Sequence, residues 1–430
     1  MRRSLFLKGS TAMPYDQWML PNGLRVVGER LTHLRSCTIG VWVRVGSMME
    51  TPGENGLSHF IEHMVFKGTK RRSARDIAEE MDAVGGQLNA FTGKDCTCFY
   101  AKVIDEDLPL AVDMLSDLTL NAVMASEELE KERGVILEEI SMTEDTPDDL
   151  VHEVLSLAAF GDQALAMPIL GERANIEGVN RNDLLTFQHR HYMPENAVIA
   201  IAGNYDVEAL KALIDQYFGT WGALTAPAMP APMQALTGQC LFREKDTEQT
   251  HICIGYRGLP LDDPGSYAQS VLSLVVGGGM SSRLFQRIRE DLGMAYSVYS
   301  YSGSYPGSGT FNIYAGTAPK NAKQVLEEVF DQLRLLRREG IPQKEFAQAK
   351  AQLRGTYILG LESASGRMQS IARGELLLGR PKQPDDIIAC IDAVALEDVL
   401  TLAERIFAEA PCGAVVGRKA AALLPGYHSI

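Results

Sequence analysis

The chain spells out one order of elements twice, and that repeat limits the folds open to it more than any other feature. In the first half, strand-like CTIGVWVRVGS is followed by GLSHFIEHMVFKGT and the helical pattern SARDIAEEMDAVGG. The strand pattern NAFTGKDCTCFYAKV and the helical patterns DEDLPLAVDMLSDLTLNA and SEELEKERGVILEEISMTE come next. In the second half, THICIGYRG leads into the helical patterns SYAQSVLSLVVGGG and SSRLFQRIREDLG, then the strands AYSVYSYSG and GTFNIYAGT. The helices NAKQVLEEVFDQLRLLRREG and PQKEFAQAKAQLRGTYILG close that series. Gly85 and Gly293 stand at matching places, each after a helical pattern and before a strand, where a glycine stops a helix. Between the halves lies TWGALTAPAMPAPMQALTG, residues 220–238, with three prolines and no charge, which reads as an extended linker. The expectation is two homologous α+β domains, residues 1–219 and 239–430, joined by residues 220–238. A chain of 430 residues is too long for one ordinary core and agrees with that division.

The repeat is chemically unequal. A slide of about 210 residues (269 − 59) sets Gln269, Leu272 and Ser273 against His59, Glu62 and His63. One half carries titratable groups where the other has ordinary helix residues, which a purely structural requirement does not explain. Residues four apart on a helix point the same way, so His59 and His63 can grip one ion with two imidazole nitrogens, and Glu62 lies toward the same face. Two histidines and a carboxylate around an open fourth position are the donors of a catalytic zinc rather than a closed structural site. Such an ion brings the pKa of its water down to about 7, and a neighbouring carboxylate can take the proton as that water attacks a carbonyl. Random placement in a chain of this composition would produce H-x-x-E-H about once in a hundred chains. A third ligand is expected from another helix, and EKERGVILEEI offers Glu132, Glu138 and Glu139. Glu132 and Glu139 are seven apart and share a face, whereas Glu138 is turned by about 100°. One aligned carboxylate could ligate and the other could hold a ligand histidine from behind. A solvated acidic helix face is the competing reading of that run.

Composition removes other classes. The apolar fraction of 46% and charged fraction of 22% are those of a soluble globular protein. No uncharged apolar run is long enough to span a membrane. A net charge of −14 argues against nucleic-acid backbones as partners and is compatible with cationic substrates. The seven cysteines, at 37, 96, 98, 240, 253, 390 and 412, are odd in number and form no C-x-x-C pair, so a reducing compartment fits better than a disulfide framework. Cys96 and Cys98 read as buried thiols. At the N-terminus, MRRSLFLKGSTA has only LFL as an apolar run, too short for a secretory core. GGGMSS at 277–282 lacks the spacing of a phosphate loop and reads as a turn between helices. His189 and His191 are two apart, wrong for one helix face, and His33, His152, His251 and His428 have no ligand-like company.

H-F-I-E-H is the inverted zinc motif, and the wider pattern resembles the pitrilysin-type zinc peptidases. It is nearest to their short-chain branch, which is like the mitochondrial processing peptidases. The resemblance covers nearly the whole chain, including HYMPENAVIAIAGNYD and GGGMSSRLFQRIREDLGMAYSV. It implies the LuxS/MPP-like metallohydrolase fold: two homologous domains, each a mostly antiparallel sheet with helices packed on one side, closing as a clamshell. It also implies one zinc ion per chain, held by His59, His63 and Glu139, because the family's third ligand lies 139 − 63 = 76 residues past the second histidine. Glu62 is then the general base, and Glu132, seven residues before Glu139, supports the ligands.

The same resemblance makes NAFTGKDCTCFYAKV an edge strand beside the metal, with Asn89, Ala90 and Phe91 touching the substrate backbone. Without it, an internal strand with Asn89 capping a turn is an equal reading. It brings Arg289 and Tyr296 from the second domain to the substrate, Tyr296 donating to the forming oxyanion. Read by themselves, these two are a surface arginine and a half-buried strand tyrosine. The implied protein is a zinc endopeptidase that cleaves unfolded oligopeptides or leader segments in an enclosed chamber. A homodimer in a bacterial cytoplasm is the expected setting. Two alternatives stand beside it: a non-catalytic assembly subunit of the same fold, and an active chain that needs a silent heteromeric partner.

Overall fold

A computed structural model describes residues 15–222 and 236–423. Most of the linker segment 220–238, residues 1–12 and His428 lie outside the described residues. The first half runs β1 (Asp16–Met19), β2 (Arg25–Arg30), β3 (Ser36–Val43), α1 (Leu57–Val65), α2 (Ala74–Ala83), β4 (Gln87–Thr92), β5 (Thr97–Ile104) and α3 (Leu108–Asn121). It continues with α4 (Ser126–Asp145), α5 (Pro147–Phe160), α6 (Arg173–Gly178), α7 (Arg181–His191), β6 (Ala197–Gly203) and α8 (Val207–Phe218). The second half runs β7 (Cys240–Glu244), β8 (Thr250–Arg257), α9 (Ser266–Val276), β9 (Ala295–Tyr305), β10 (Ser308–Thr317) and α10 (Ala322–Glu339). After these come α11 (Gln343–Gly360), α12 (Ala364–Leu378), α13 (Pro384–Ala393), α14 (Leu396–Phe407) and β11 (Cys412–Gly417).

The repeat is visible in the strand orders, β1-β2-β6-β3-β5-β4 and β7-β11-β8-β10-β9. Setting β7 on β2, β11 on β6, β8 on β3, β10 on β5 and β9 on β4 matches every neighbour. It matches direction too: β2/β6 and β7/β11 are the parallel pairs, and the remaining pairs are antiparallel. Gly85 and Gly293 take φ of +61° and +60°, the left-handed geometry that ends the helical segment before β4 and β9. No helix among the described residues is long and apolar enough to cross a membrane.

Period-two alternation splits each sheet into two apolar faces. In the first sheet Val26, Ile39, Val41, Phe99 and Ile201 pack with the half's own helices α1, α3 and α8. Val27, Trp42, Cys98, Val198 and Ala200 face the other way, onto Met368, Ile371, Ala372 and Leu376 of α12. The second sheet does the same: Ile252, Ile254, Phe311 and Ile313 meet α9, α10 and α14. Its Cys253, Tyr314, Ala414 and Val416 meet Val151, Val154, Leu155 and Ala158 of α5. Each half therefore lends one helix to the back of the other half's sheet. Hydrogen bonds pin the exchange, Trp42 Nε1 donating to Met368 Sδ at 3.2 Å and Arg25 Nη1 to Glu375 Oε1 at 3.1 Å.

Two elements differ from the sequence reading. NAFTGKDCTCFYAKV is a hairpin, not one strand: β4 and β5 pair antiparallel from Gln87↔Lys102 to Thr92↔Thr97, and Gly93 N donates to Cys96 O at 2.8 Å across the turn. A single strand of that length would be well beyond the usual 5–6 residues, and Gly93-Lys94-Asp95 supplies the turn residues. SSRLFQRIREDLG is helical, but residues Phe285–Asp291 form a wide π-helical turn.

Candidate metal centre

Helix α1 answers why histidines and a glutamate interrupt an apolar run. Leu57, Phe60, Ile61, Met64 and Val65 follow the three-and-four spacing of one helix face and are buried in the core. His59, Glu62 and His63 fall on the remaining face, toward α4 and the hairpin strand β4. The helix starts on a carboxylate: Glu50 Oε1 accepts from Ser58 N at 2.8 Å, and Oε2 accepts from Gly56 N at 2.8 Å and Asn55 Nδ2 at 3.0 Å. Those bonds satisfy two of the orphan N–H groups at the helix N-terminus, where negative charge is favoured. Glu50 carries no local signal in the sequence, because it sits in an irregular loop nine residues before His59.

Glu139 reaches the histidines from α4. Its Oε2 lies 3.7 Å from His59 Nε2 and 3.6 Å from His63 Nε2, and one ligand atom from each of the three residues lies within 4.8 Å of the others. These separations are long for hydrogen bonds. They are close to the roughly 3.4 Å expected between two ligands that each bind zinc at about 2.0–2.1 Å in a tetrahedral arrangement. Burial, and then the neighbouring His63, lower the His59 imidazole to about 3, which keeps it neutral and its nitrogen lone pair free. The donor set and its spacing fit a zinc ion. Behind it, His63 Nδ1 donates to Glu132 Oε2 at 3.0 Å, and Lys67 Nζ donates to Glu132 Oε1 at 2.7 Å. That bond fixes the His63 tautomer with Nε2 turned toward Glu139. Glu138 is exposed, as its 100° rotation requires.

Glu62 is held by β4. Thr92 Oγ1 donates to Glu62 Oε2 at 2.5 Å. Burial raises the Glu62 carboxyl above the ordinary carboxylate range, and the Thr92 bond and His63 offset this only in part. A carboxylate shifted in that direction accepts a proton more readily than an exposed glutamate does. Thr92 was missed in the sequence reading, although period-two alternation puts it on one face with Leu88 and Ala90, toward α1.

Among the described residues, strand β4 pairs with β5 alone and forms the edge of its sheet. Asn89 is exposed and its Oδ1 accepts from Ala90 N at 2.8 Å. The Phe91 ring turns to the other face, 5.3 Å from Trp42 and 6.5 Å from Tyr100. Arg289 and Tyr296 are brought together, the guanidinium 5.0 Å from the Tyr296 ring and 4.7 Å from that of Phe285. Among the described residues, neither makes a hydrogen bond, ion pair or ring contact with those around His59 and His63. Tyr296 is 77% exposed at the start of β9, the edge strand of the second sheet among the described residues.

The corresponding face of the second half is chemically blank. Gln269 accepts from Leu259 N at 2.7 Å, Leu272 is buried, and Ser273 meets Ser300 at 3.2 Å. Elsewhere His152 bonds the hydroxyls of Tyr301 and Tyr299, and His251 that of Tyr314. His191 is buried against Phe187, while His189 and His33 are exposed.

Residues 25–173 match the family model described as insulinase (peptidase family M16), and residues 178–353 match the one described as the peptidase M16 inactive domain. A chain of Bacillus subtilis described as an uncharacterized zinc protease is 45% identical over 90% of this chain and 94% of its own length. One of Streptomyces coelicolor with the same description is 41% identical over 93% of this chain and 88% of its own. Among solved structures, a protease from Helicobacter pylori superposes with a TM-score of 0.87 at 23% identity, covering 94% of this chain and 99% of that one. A peptidase M16 inactive domain from Pseudomonas fluorescens superposes with a TM-score of 0.88 at 19% identity, covering 95% and 98%.

Proposed function

Because this chain belongs to peptidase family M16 and is a zinc peptidase, we propose that it is an endopeptidase for unfolded oligopeptides or leader segments. The observation that carries the reading is the convergence of His59, His63 and Glu139 within 4.8 Å, with Glu62 on the same helix face. His59, His63 and Glu139 would hold one zinc ion per chain, which supplies Lewis acidity and brings the pKa of water down to about 7. Glu62 takes the proton from the attacking water and passes it to the leaving amine. Glu132 keeps the His63 imidazole in the ligating tautomer. The free edge of β4 pairs with the peptide, so that the backbone of Asn89, Ala90 and Phe91 sets the position of the scissile bond. Tyr296, stacked under Arg289, donates to the oxyanion from the second half. Two copies of the chain enclose a chamber, in a bacterial cytoplasm, that admits peptides and excludes folded proteins.

A digest of a peptide library and of folded proteins by the purified chain, with and without a chelator, tests this. Cleavage is expected for peptides alone, to vanish with the chelator and to return with added zinc. Chelator-resistant cleavage, or equal attack on folded substrates, contradicts the reading. A second expectation concerns Glu132→Gln. It should weaken zinc binding by about 10- to 100-fold in competition with a chelating dye. Unaltered affinity would remove Glu132 from the account.

A further inference from the structure

We propose that the second half of the chain positions the base: Arg373 on α12, acting through Asp95 and the β4–β5 turn, fixes β4 so that Thr92 holds Glu62. The inference rests on the reading of Glu62 as general base. It gives the half without metal ligands a defined part in the reaction.

A carboxylate at the end of a flexible side chain needs an external contact to fix its rotation. Among the described residues, Thr92 Oγ1 is the hydrogen-bond partner of Glu62. Thr92 is the last residue of β4, and among the described residues no strand lies on the outer side of β4 to fix its place. The turn that follows is instead clamped from several directions. Ser47 N donates to Gly93 O at 3.3 Å and Met48 N to Lys94 O at 2.9 Å. That approach is close enough that a Cβ on Gly46 would sit 2.2 Å from Gly93 O. Lys94 Nζ donates to Met167 O. From the second half, Arg373 Nη2 donates to Asp95 Oδ2 at 3.0 Å, and its Nη1 lies 3.9 Å from Cys96 Sγ. Asp95 is only 3% exposed, so removing Arg373 would take away the cation hydrogen-bonded to a buried carboxylate and loosen the turn. Only Gly93 and Lys94 separate Asp95 from Thr92, and a displacement of about 1 Å at a reacting group can cost about 100-fold.

The test measures kcat, KM and bound zinc for Thr92→Val, Thr92→Ser, Arg373→Met, Asp95→Asn and the Thr92→Val/Arg373→Met double variant. Thr92→Val is expected to lower kcat by about 10- to 100-fold, the value of one hydrogen bond to a charged group, with KM and zinc content unchanged. Thr92→Ser keeps the donor and should restore most of the rate. Arg373→Met and Asp95→Asn should lower kcat in the same way. The double variant should be no slower than Thr92→Val alone, since both changes act through one carboxylate. An unchanged kcat in Thr92→Val, or losses that multiply in the double variant, overturns the inference. If Arg373→Met fails to fold, Asp95→Asn, which keeps the shape of the pair, carries the same comparison. Full activity in Glu62→Gln would instead remove the base itself, so the two failures are told apart.

Discussion

Glu62→Gln is expected to leave zinc bound at full stoichiometry while peptide cleavage falls by about 100- to 10,000-fold. The amide keeps the size of the carboxylate and can still meet Thr92 Oγ1, so the packing of α1 against β4 is preserved. It cannot accept a proton. Nor is Glu62 one of the three residues whose ligand atoms converge, so its loss leaves the donor set complete. Zinc content by atomic absorption and kcat on a fluorogenic peptide, measured on one preparation, decide the matter. Full activity in that variant excludes Glu62 as the base. Loss of zinc would instead make Glu62 part of the ion's binding set.

Glu139→Gln is expected to have the opposite signature, losing both zinc and activity. Glu139 is the one anion of the convergent set, facing two imidazoles at 3.6 and 3.7 Å. An amide there removes the charge that favours a dication and replaces a strong oxygen donor with a weak one. After dialysis the variant should hold well under one zinc per chain, and activity should return only at high added zinc. Glu138→Gln is its control. That residue is adjacent in sequence, exposed and turned away from the site, so zinc and rate should both stay at the parent level. Equal losses in the two variants would mean that the helix as a whole, not one carboxylate, supports the ion.

Local spacing made the ligand residues legible. The i, i+4 pair His59 and His63 and the seven-residue step from Glu132 to Glu139 depend only on helix geometry, and both helices formed where apolar periodicity placed them. Joining the two helices at one point needed the resemblance, because no local rule relates residue 63 to residue 139. The repeat was legible as an order of elements, and the strand orders match it. The exchange of α5 and α12 was not. Each of those helices is apolar enough to pack somewhere, but period alone does not say on which sheet. Thr92, Asp95 and Arg373 escaped for a related reason. The stretch with Asn89 read as one strand, so the turn at Gly93–Cys96, and the residues that pin it, had no place in the reading. Glu50 is a further case: a loop glutamate becomes a helix cap only through three-dimensional closure.

All of these expectations depend on one arrangement of three side chains. Anomalous diffraction at the zinc absorption edge, on crystals of the purified chain, tests it most directly. One anomalous peak per chain is expected, about 2.0–2.1 Å from Nε2 of His59, Nε2 of His63 and a carboxylate oxygen of Glu139. A zinc-replete crystal with no peak there, or with its peak on other side chains, would contradict it.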